Sequence, residues 1–335
     1  MTDTHIDIID PASCARELLA AQHIVLTAHT NPDGDAIGSE YALFHALRAR
    51  GKDVRIVNCD AAPENLSFLD EAAIEVYDSE SHDALLAEAD LLVAMDFNDI
   101  RRVRQMEEAF RSSRARKMVI DHHLDPKPFA DVYCSVPDAS STAEIIYDVL
   151  AAGEMEITHP VALGMYVGLL TDTGSFRFDR TTPKVHRIAA RLLEAGVDPT
   201  ATYQCIFDDY PIRRTQLLGM IMAGMEQHCG GRVTLLAVTG EMFSRTGTNI
   251  EDVENVVNMG LAIRGVEATA TLTEFEGQIK VSFRSRGGIS VNDIAGRFGG
   301  GGHRLAAGAT VEDMDMQDLK RAVAAALCEA LPAVA

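Results

Sequence analysis

Between residues 23 and 123, short apolar runs alternate with stretches of helical period. HIVLTAHT (23–30), DVRIVN (53–58), DLLVAMDF (90–97) and KMVIDHH (117–123) read as strands. GSEYALFHALRAR (38–50) reads as an amphipathic helix stopped by Gly51, and further helical stretches lie near 81–89 and 101–113. Apolar strands separated by helices predict an α/β fold with a mostly parallel sheet covered on both faces. Helices are also expected over 140–152, ended by Gly153, over 159–171, and over 182–195, ended by Gly196. The last opens on Thr182-Pro183, a capping residue followed by proline at the first helical position.

A chain of 335 residues exceeds one typical core. The expected division is a first domain over 1–196, a mixed polar bridge over 197–218 and a smaller α/β domain over 219–335. In the latter, 231–239 reads as a strand, 249–262 as a helix, and 267–275 with 278–286 as a hairpin across Gly277. VNDIAGRF (291–298) reads as helical and leads into the glycine-rich 299–309.

Acidic residues outnumber basic ones 50 to 30, for a formal charge of −20. Proteins that grip long DNA or RNA draw affinity from counterion release at a basic face, so a long duplex is a poor partner here. A small phosphorylated ligand, neutralised by metal cations, is compatible. No stretch approaches the roughly 20 apolar residues that span a bilayer. The N-terminal MTDTHIDIIDPAS has neither the basic flank nor the apolar centre of a leader, so a cytoplasmic location without a membrane partner is expected. Cysteines stand at 14, 59, 134, 205, 229 and 328 with no CxxC pair, which argues against a zinc ribbon and against a disulfide framework.

The residues suited to chemistry gather at the ends of these elements. HTNPDGDAIGS places His29, Asp33 and Asp35 just beyond the first strand, where open α/β sheets bind ligands. Carboxylates crowded into a turn shaped by Pro32 and Gly34 repel unless a positive charge lies between them. A mixed imidazole and carboxylate set suits manganese or a similar first-row divalent ion; the alternative is an acidic turn that merely caps the next helix. Asp96 ends a buried strand, with Asp99 placed to cap the helix after it. MVIDHH repeats that layout with Asp121, His122 and His123, and adjacent histidines after an aspartate at a strand end are hard to explain by packing. Asp172 closes the apolar VALGMYVGLL, where a charge needs a partner.

Together His29, Asp33, Asp35, Asp96, His122 and Asp172 supply ligands for two cations, with Asp96 the candidate to bridge them. Two divalent ions about 3.5–4 Å apart hydrolyse phosphoesters by activating water and clamping phosphoryl oxygens, with no serine or cysteine nucleophile. The sequence contains neither a nucleophile elbow nor a Walker loop. Near the C-terminus, SFRSR sets Arg284 and Arg286 on one strand face and Ser285 on the other. GGGGH (299–303) lets the amides of Gly300, Gly301 and Gly302 approach a ligand, with His303 beside them. Arginine forks and glycine amides make an anion site; a flexible turn is the other reading of the glycines.

In this order the segments HTNPDGDAIGS, MDFNDIRR, IDHH, LLTDTGSFRF, FRSR and GGGGHRLAAG resemble the DHH phosphoesterase family with a C-terminal DHHA1 domain, over nearly the whole chain. The resemblance implies a DHH domain and a smaller DHHA1 domain with the active site in the cleft between them. It also implies two manganese ions, one held by His29, Asp33 and Asp96 and the other by Asp35, Asp96, His122 and Asp172. His123 would contact the scissile phosphate or protonate the leaving oxygen, and Asp121 would orient His122. Arg284, His303 and Gly300 to Gly302, with Ser285 and Arg286 in the same signature, would hold the nucleotide end.

The compact size resembles the bacterial nanoRNase and pAp phosphatase group. That implies cleavage of short oligoribonucleotides to mononucleotides and removal of the 3′-phosphate of adenosine 3′,5′-bisphosphate (pAp). Hydrolysis of the linear dinucleotides pGpG or pApA, a RecJ-like exonuclease, and a nucleotide sensor that keeps the fold without catalysis are the other readings. A homodimer is open, with apolar helices such as 159–170 available as an interface.

Overall fold

The computed structural model describes residues 6–69, 73–253 and 255–332. Residues 1–5, part of the stretch read as lacking a leader, lie outside them. The chain divides into Met1–Asp209 and Tyr210–Ala335, a break inside the stretch expected to bridge two domains.

The first unit runs α1 (Pro11–Ala20), β1 (His23–Ala28), α2 (Gly34–Ala49), β2 (Asp53–Asn58), β3 (Ile74–Val76), α3 (Ser79–Glu88), β4 (Leu91–Met95), α4 (Glu107–Ser112), β5 (Arg116–Asp121), β6 (Val132–Ser135), α5 (Thr142–Ala152), α6 (His159–Asp172), α7 (Pro183–Glu194) and α8 (Pro199–Tyr203). Its six strands pair in parallel in the order β3-β2-β1-β4-β5-β6. Leu26, Ile56, Val93 and Ile120 fill the core on one face, and Val25, Val57, Leu92 and Val119 fill the core on the other. Apolar side chains at successive positions are thus buried on both sides, the reason these strands read as continuous apolar runs. After β3 the chain returns to lay β4 on the opposite side of β1, so the strand order reverses between those two. Ligands bind outside the carboxyl ends of the strands at such a reversal. Ala28 pairs with Met95, which puts the next residues, His29 and Asp96, side by side there.

Helix α2 starts four residues before the expected Gly38, because the Asp33 Oδ1 accepts the amides of Asp35 (3.0 Å) and Ala36 (3.1 Å) and caps it. It crosses α6 at very short range. A Cβ on Gly38 would overlap the Gly164 carbonyl, and one on Gly164 would overlap the Gly38 carbonyl. Helix α6 is buried along most of its length, so it offers no broad apolar face to a second copy, contrary to the expectation for 159–170. Its hydrophobicity is explained by packing inside this unit.

The second unit contains α9 (Ile212–Ala223), β7 (Glu226–His228), β8 (Val233–Val238), α10 (Gly240–Thr246), α11 (Val256–Leu261), β9 (Ala268–Phe275), β10 (Gln278–Ser285), α12 (Val291–Gly296), β11 (Gly301–Gly302), β12 (Ala306–Val311) and α13 (Met316–Ala330). Its sheet has the order β11-β12-β10-β9-β8-β7, with β8 and β9 parallel and the other pairs antiparallel. Glu276 (φ 50°) and Gly277 (φ 79°) make the tight turn of the β9–β10 hairpin. The helix expected over 249–262 is instead a 3₁₀ turn, Glu251–Val253, followed by α11; position 254 lies outside the described residues. Asn255 (φ 63°) interrupts it, having left the helical region.

Cys229 and Cys328 are joined in a disulfide, while Cys14, Cys59 and Cys134 are buried thiols. The sequence reading found no framework and missed this single pair, whose members lie 99 residues apart. Among the described residues no helix is long and apolar enough to cross a membrane.

Glu40 on α2 is fully buried. Its Oε2 accepts from Asn58 Nδ2 (2.7 Å) and its Oε1 has no hydrogen-bond partner among the described residues. Burial pushes its pKa up to about 8. A carboxyl raised in the folded state binds its proton more tightly than the unfolded chain does. Its stabilising effect is therefore complete below the ordinary glutamate range and is lost as pH rises towards and past 8. Glu40→Gln is expected to remove that loss, making the variant more stable than the parent by a few kcal/mol at pH 9 and nearly equal at pH 5. Urea denaturation at both values checks it; the same gap at both would show that Glu40 is not the responsible group.

Candidate metal centre

All six ligands expected from the sequence meet at the carboxyl ends of β1, β4 and β5 and the end of α6. Ligand atoms lie within 4.8 Å of one another in three overlapping groups: His29, Asp33 and Asp96; Asp35, His122 and Asp172; and Asp96, His122 and His123. Asp96 is the shared member. Its Oδ2 lies 3.5 Å from His29 Nε2 and its Oδ1 lies 3.5 Å from His122 Nε2, so its two oxygens face opposite halves of the cluster. It leaves β4 with φ 63°, a left-handed conformation that aspartate adopts more readily than most residues. His122 Nε2 also stands 3.3 Å from Asp172 and 3.9 Å from Asp35.

Asp33 serves two purposes. It caps α2 through Oδ1, as the bland reading of the acidic turn required, and it belongs to the His29 group. Asp99 caps the 3₁₀ segment Ile100–Met106, as its position suggested. Asp121 accepts from His123 Nδ1 (2.7 Å) rather than serving His122, whose Nδ1 faces the Ala139 carbonyl (3.4 Å). Residues two apart in extended chain share a side and neighbours do not, which is why Asp121 reaches His123. Its Oδ2 is buried and has no hydrogen-bond partner among the described residues.

Three contacts that the sequence reading missed hold the carboxylates in place. The amides of Thr142 (2.6 Å) and Ala143 (3.0 Å), at the start of α5, donate to Asp35, and Thr142 Oγ1 donates to Asp96 (2.9 Å). The sequence did contain a signal. Ser141-x-x-Glu144 has the spacing of a capping box: Ser141 Oγ accepts the Glu144 amide, and the Glu144 carboxylate reaches one residue further back to accept the Ser140 amide. It marks a helix start, though not that the helix points at the ligands. Close packing matters too: a Cβ on Gly168 would come within 2.6 Å of Asp35 Oδ1.

The donor chemistry fits divalent cations. Burial raises Asp96 well above the usual carboxylate range, with Asp35, Asp33, Asp172 and Asp121 adding to it by repulsion. Burial raises Asp35 as well, and pushes Asp172 up to about 9 with help from Asp35 and Asp33. Burial lowers His29, followed by the charge of Arg102. Acids crowded and dehydrated in this way hold protons until cations replace them. Crowded, dehydrated carboxyl oxygens beside imidazole nitrogens suit a cation site better than a closed hydrogen-bonded network.

The C-terminal candidates separate. Arg284 is half-buried, donates among the described residues to the Phe283 carbonyl alone (2.9 Å), and has its pKa lowered by burial. Ser285 is buried and donates to the Ile289 carbonyl (2.9 Å). Arg286 binds the carbonyls of Val266 (2.9 Å) and Leu261 (2.6 Å). Gly300 and Gly302 are glycine because β12 leaves no room for a Cβ, whereas Gly301 meets nothing closer than Asn292 at 3.6 Å. His303 is exposed beside them.

Residues 23–169 match the model of the DHH family, N-terminal domain, and residues 217–330 match that of the DHHA1 domain. The bifunctional oligoribonuclease and PAP phosphatase NrnA of Thermus thermophilus is 34% identical, over 92% of this chain and 90% of its own. The protein of the same name from Bacillus subtilis is 28% identical, over 91% and 95%. The crystal structure of an exopolyphosphatase-related protein from Bacteroides fragilis superposes with a TM-score of 0.91 at 31% identity, covering 95% of this chain and 96% of that one. A sheet reversal lined by crowded carboxylates and imidazoles, in this setting, defines a metal-dependent phosphoesterase. The chain belongs to the DHH family, in the form that carries a DHHA1 domain.

Two outcomes are expected from the geometry. Thr142→Val, which keeps the shape and loses the hydroxyl, should weaken divalent-ion binding about 10- to 100-fold, the usual effect of removing a group that orients a ligand. Calorimetric titration with manganese reads this, and unchanged affinity would refute it. Because the raised carboxyls hold protons in the metal-free state, binding should release protons, and apparent affinity should rise as pH increases towards 9. Titrations in buffers of different ionisation enthalpy measure that release; a buffer-independent heat would count against it.

Proposed function

We propose that the chain hydrolyses short oligoribonucleotides to mononucleotides and removes the 3′-phosphate of pAp, using two divalent ions, manganese by preference. One observation carries the reading: Asp96 turns one oxygen towards His29 and the other towards His122, the disposition required of a carboxylate shared by two cations. His29, Asp33 and Asp96 would hold one ion, and Asp35, Asp96, His122 and Asp172 the other. The full-length likeness to two relatives named as oligoribonuclease and PAP phosphatase supports the substrate class. The mixed imidazole and carboxylate donors favour manganese over calcium.

Bound divalent ions would supply Lewis acidity and lower the pKa of water at the reacting phosphate. The chain's own residues then divide the remaining work. Thr142 and the amide start of α5 keep Asp35 and Asp96 aimed inward. Asp121 holds the His123 ring through Nδ1, which leaves the other ring nitrogen to give a proton to the departing oxygen. Arg284, desolvated and bonded among the described residues to a single carbonyl, is the best placed of the C-terminal candidates to bind a substrate anion. Gly301 and His303 are exposed, while Ser285 and Arg286 hold the local backbone. A charge of −20 disfavours long duplexes and suits ligands of a few nucleotides.

Mononucleotide release from 5′-labelled RNAs of two to twenty residues, run beside pAp, tests the reading. Metal-free protein should be inactive and manganese should restore turnover, with the shortest RNAs cleaved fastest. The double variant Asp121→Ala/His122→Ala should lose at least about 10³-fold in kcat/KM, on the order of 4 kcal/mol. Turnover that persists in that variant would sink the assignment. Arg284→Gln should raise KM about tenfold and leave manganese binding unchanged.

A further inference from the structure

His29 and Asp33 stand at the two ends of a short loop and supply two of the three donors of the first ligand set. A loop outside the sheet holds two side chains at a fixed spacing only if its backbone is tied down. Three hydrogen bonds do this. The Ala28 amide donates to Asn58 Oδ1, the Thr30 amide to the Arg102 carbonyl and the Asn31 amide to Asp60 Oδ2, each at 2.8 Å. Two of these acceptors are side chains, two residues apart where β2 ends, and they take amides on either side of His29.

The sheet explains why side chains have this part. Strand β1 pairs with β4 as far as Ala28 and Met95, but with β2 as far as Leu26 and Ile56. Past Leu26 the Asn58 carboxamide continues the β2 side of the ladder. Asn31 holds a left-handed backbone (φ 51°), and the bond from its amide to Asp60 fixes that conformation. Asn58 is itself aimed from its other end, where Nδ2 donates to Glu40 Oε2 (2.7 Å) on α2. Ala28, Asn58 and Glu40 are fully buried, so water does not replace either bond when it is lost. Asparagine meets both demands, with an acceptor for the strand amide and a donor for the glutamate.

The second ligand set is supported from elsewhere. Asp35 accepts the amides of Thr142 and Ala143 at the start of α5, and His122 Nδ1 faces the Ala139 carbonyl. None of these bonds involves β2. Each set thus has its own support, the end of β2 for one and the start of α5 for the other.

We propose that Asn58 and Asp60 are positioning residues for the ion of His29, Asp33 and Asp96, and that the ion of Asp35, His122 and Asp172 does not depend on them. The proposal rests on the two-ion reading above. Loss of either acceptor frees the loop and leaves a protein that holds one ion tightly and the other loosely.

The test titrates the full-length protein, stripped of metal, with manganese by calorimetry and follows the bound ion by electron paramagnetic resonance. The wild type should take two ions per chain and give the spectrum of a spin-coupled pair. Asp60→Ala and Asn58→Ala should weaken one ion about 10- to 100-fold, the usual effect of losing a group that orients a ligand, and leave the other unchanged. With only the tight site filled, these variants should show the spectrum of an isolated ion. Asp60→Asn keeps an oxygen for the Asn31 amide and should bind both ions as the wild type does. Asn58→Asp combined with Glu40→Gln exchanges donor and acceptor between the two side chains, and should recover most of what Asn58→Ala loses. Equal weakening of both ions, no weakening, or a loss in Asp60→Asn as large as in Asp60→Ala overturns the proposal. Should Asn58→Ala fail to fold, the half-buried Asp60 decides by the same comparison. If the wild type binds a single ion, the two-ion reading fails. The positioning role then stands if Asp60→Ala weakens that ion and falls if it does not. A wild type that binds no manganese overturns both.

Discussion

Helices α2 and α6 meet backbone to backbone at Gly38 and Gly164, and the metal centre depends on that contact. Asp35 stands in the first turn of α2 and Asp172 is the last residue of α6, so the distance between the two helices sets the distance between the two carboxylates. Gly168 extends the contact to Asp35 itself, whose Oδ1 occupies the space a side chain would need. Mutual repulsion of the acids works against this approach. The apolar faces of the same helices, buried with Ile37, Leu43, Val167 and Leu170, oppose it with several kcal/mol of burial. The cluster is therefore held together by the core behind it.

Such a cluster is incomplete by design. In water each aspartate would be solvated. Here Asp35 and Asp96 are almost fully excluded from solvent, and their few donors come from Thr142, Ala143 and Ser39. Protons or cations must supply the remainder, and only cations leave the oxygens free to work on a phosphate. The scaffold thus spends stability on a site that regains it when loaded, a common relation between strained functional clusters and their ligands.

Much of this was legible in the sequence, for a physical reason. Strands buried on both faces must be apolar throughout, so an aspartate or histidine ending such a run stands out, and His29, Asp96 and Asp121 did. The candidate ligands could be read because each stands at or beside the end of an element. What escaped was whatever depends on contact between distant segments. Thr142 is an ordinary helix-start residue until α5 is seen to point at Asp35 and Asp96. Asp121 was assigned to its neighbour His122, because sequence adjacency suggests contact whereas extended geometry directs the contact to His123. Gly300 and Gly302 read as glycines that let a ligand approach, and their closeness to β12 is a second demand for glycine that the sequence does not display. The apolar character of 159–170 suggested an interface, when the partner was α2 of the same unit. Cys229 and Cys328 gave no spacing signal across 99 residues.

The parallel sheet has the strand order of the dinucleotide-binding fold, with the first strand beside the fourth. That fold meets a pyrophosphate with bare amides at the glycine-rich turn after its first strand. In this chain the same turn is His29 to Asp35, and its chemistry is inverted. It presents acids and an imidazole, so it cannot face a phosphate directly and must recruit an intermediary of opposite sign. One crevice can therefore serve two recognition strategies, set apart by the polarity of this seven-residue loop together with Asp96, His122 and Asp172 at the neighbouring element ends.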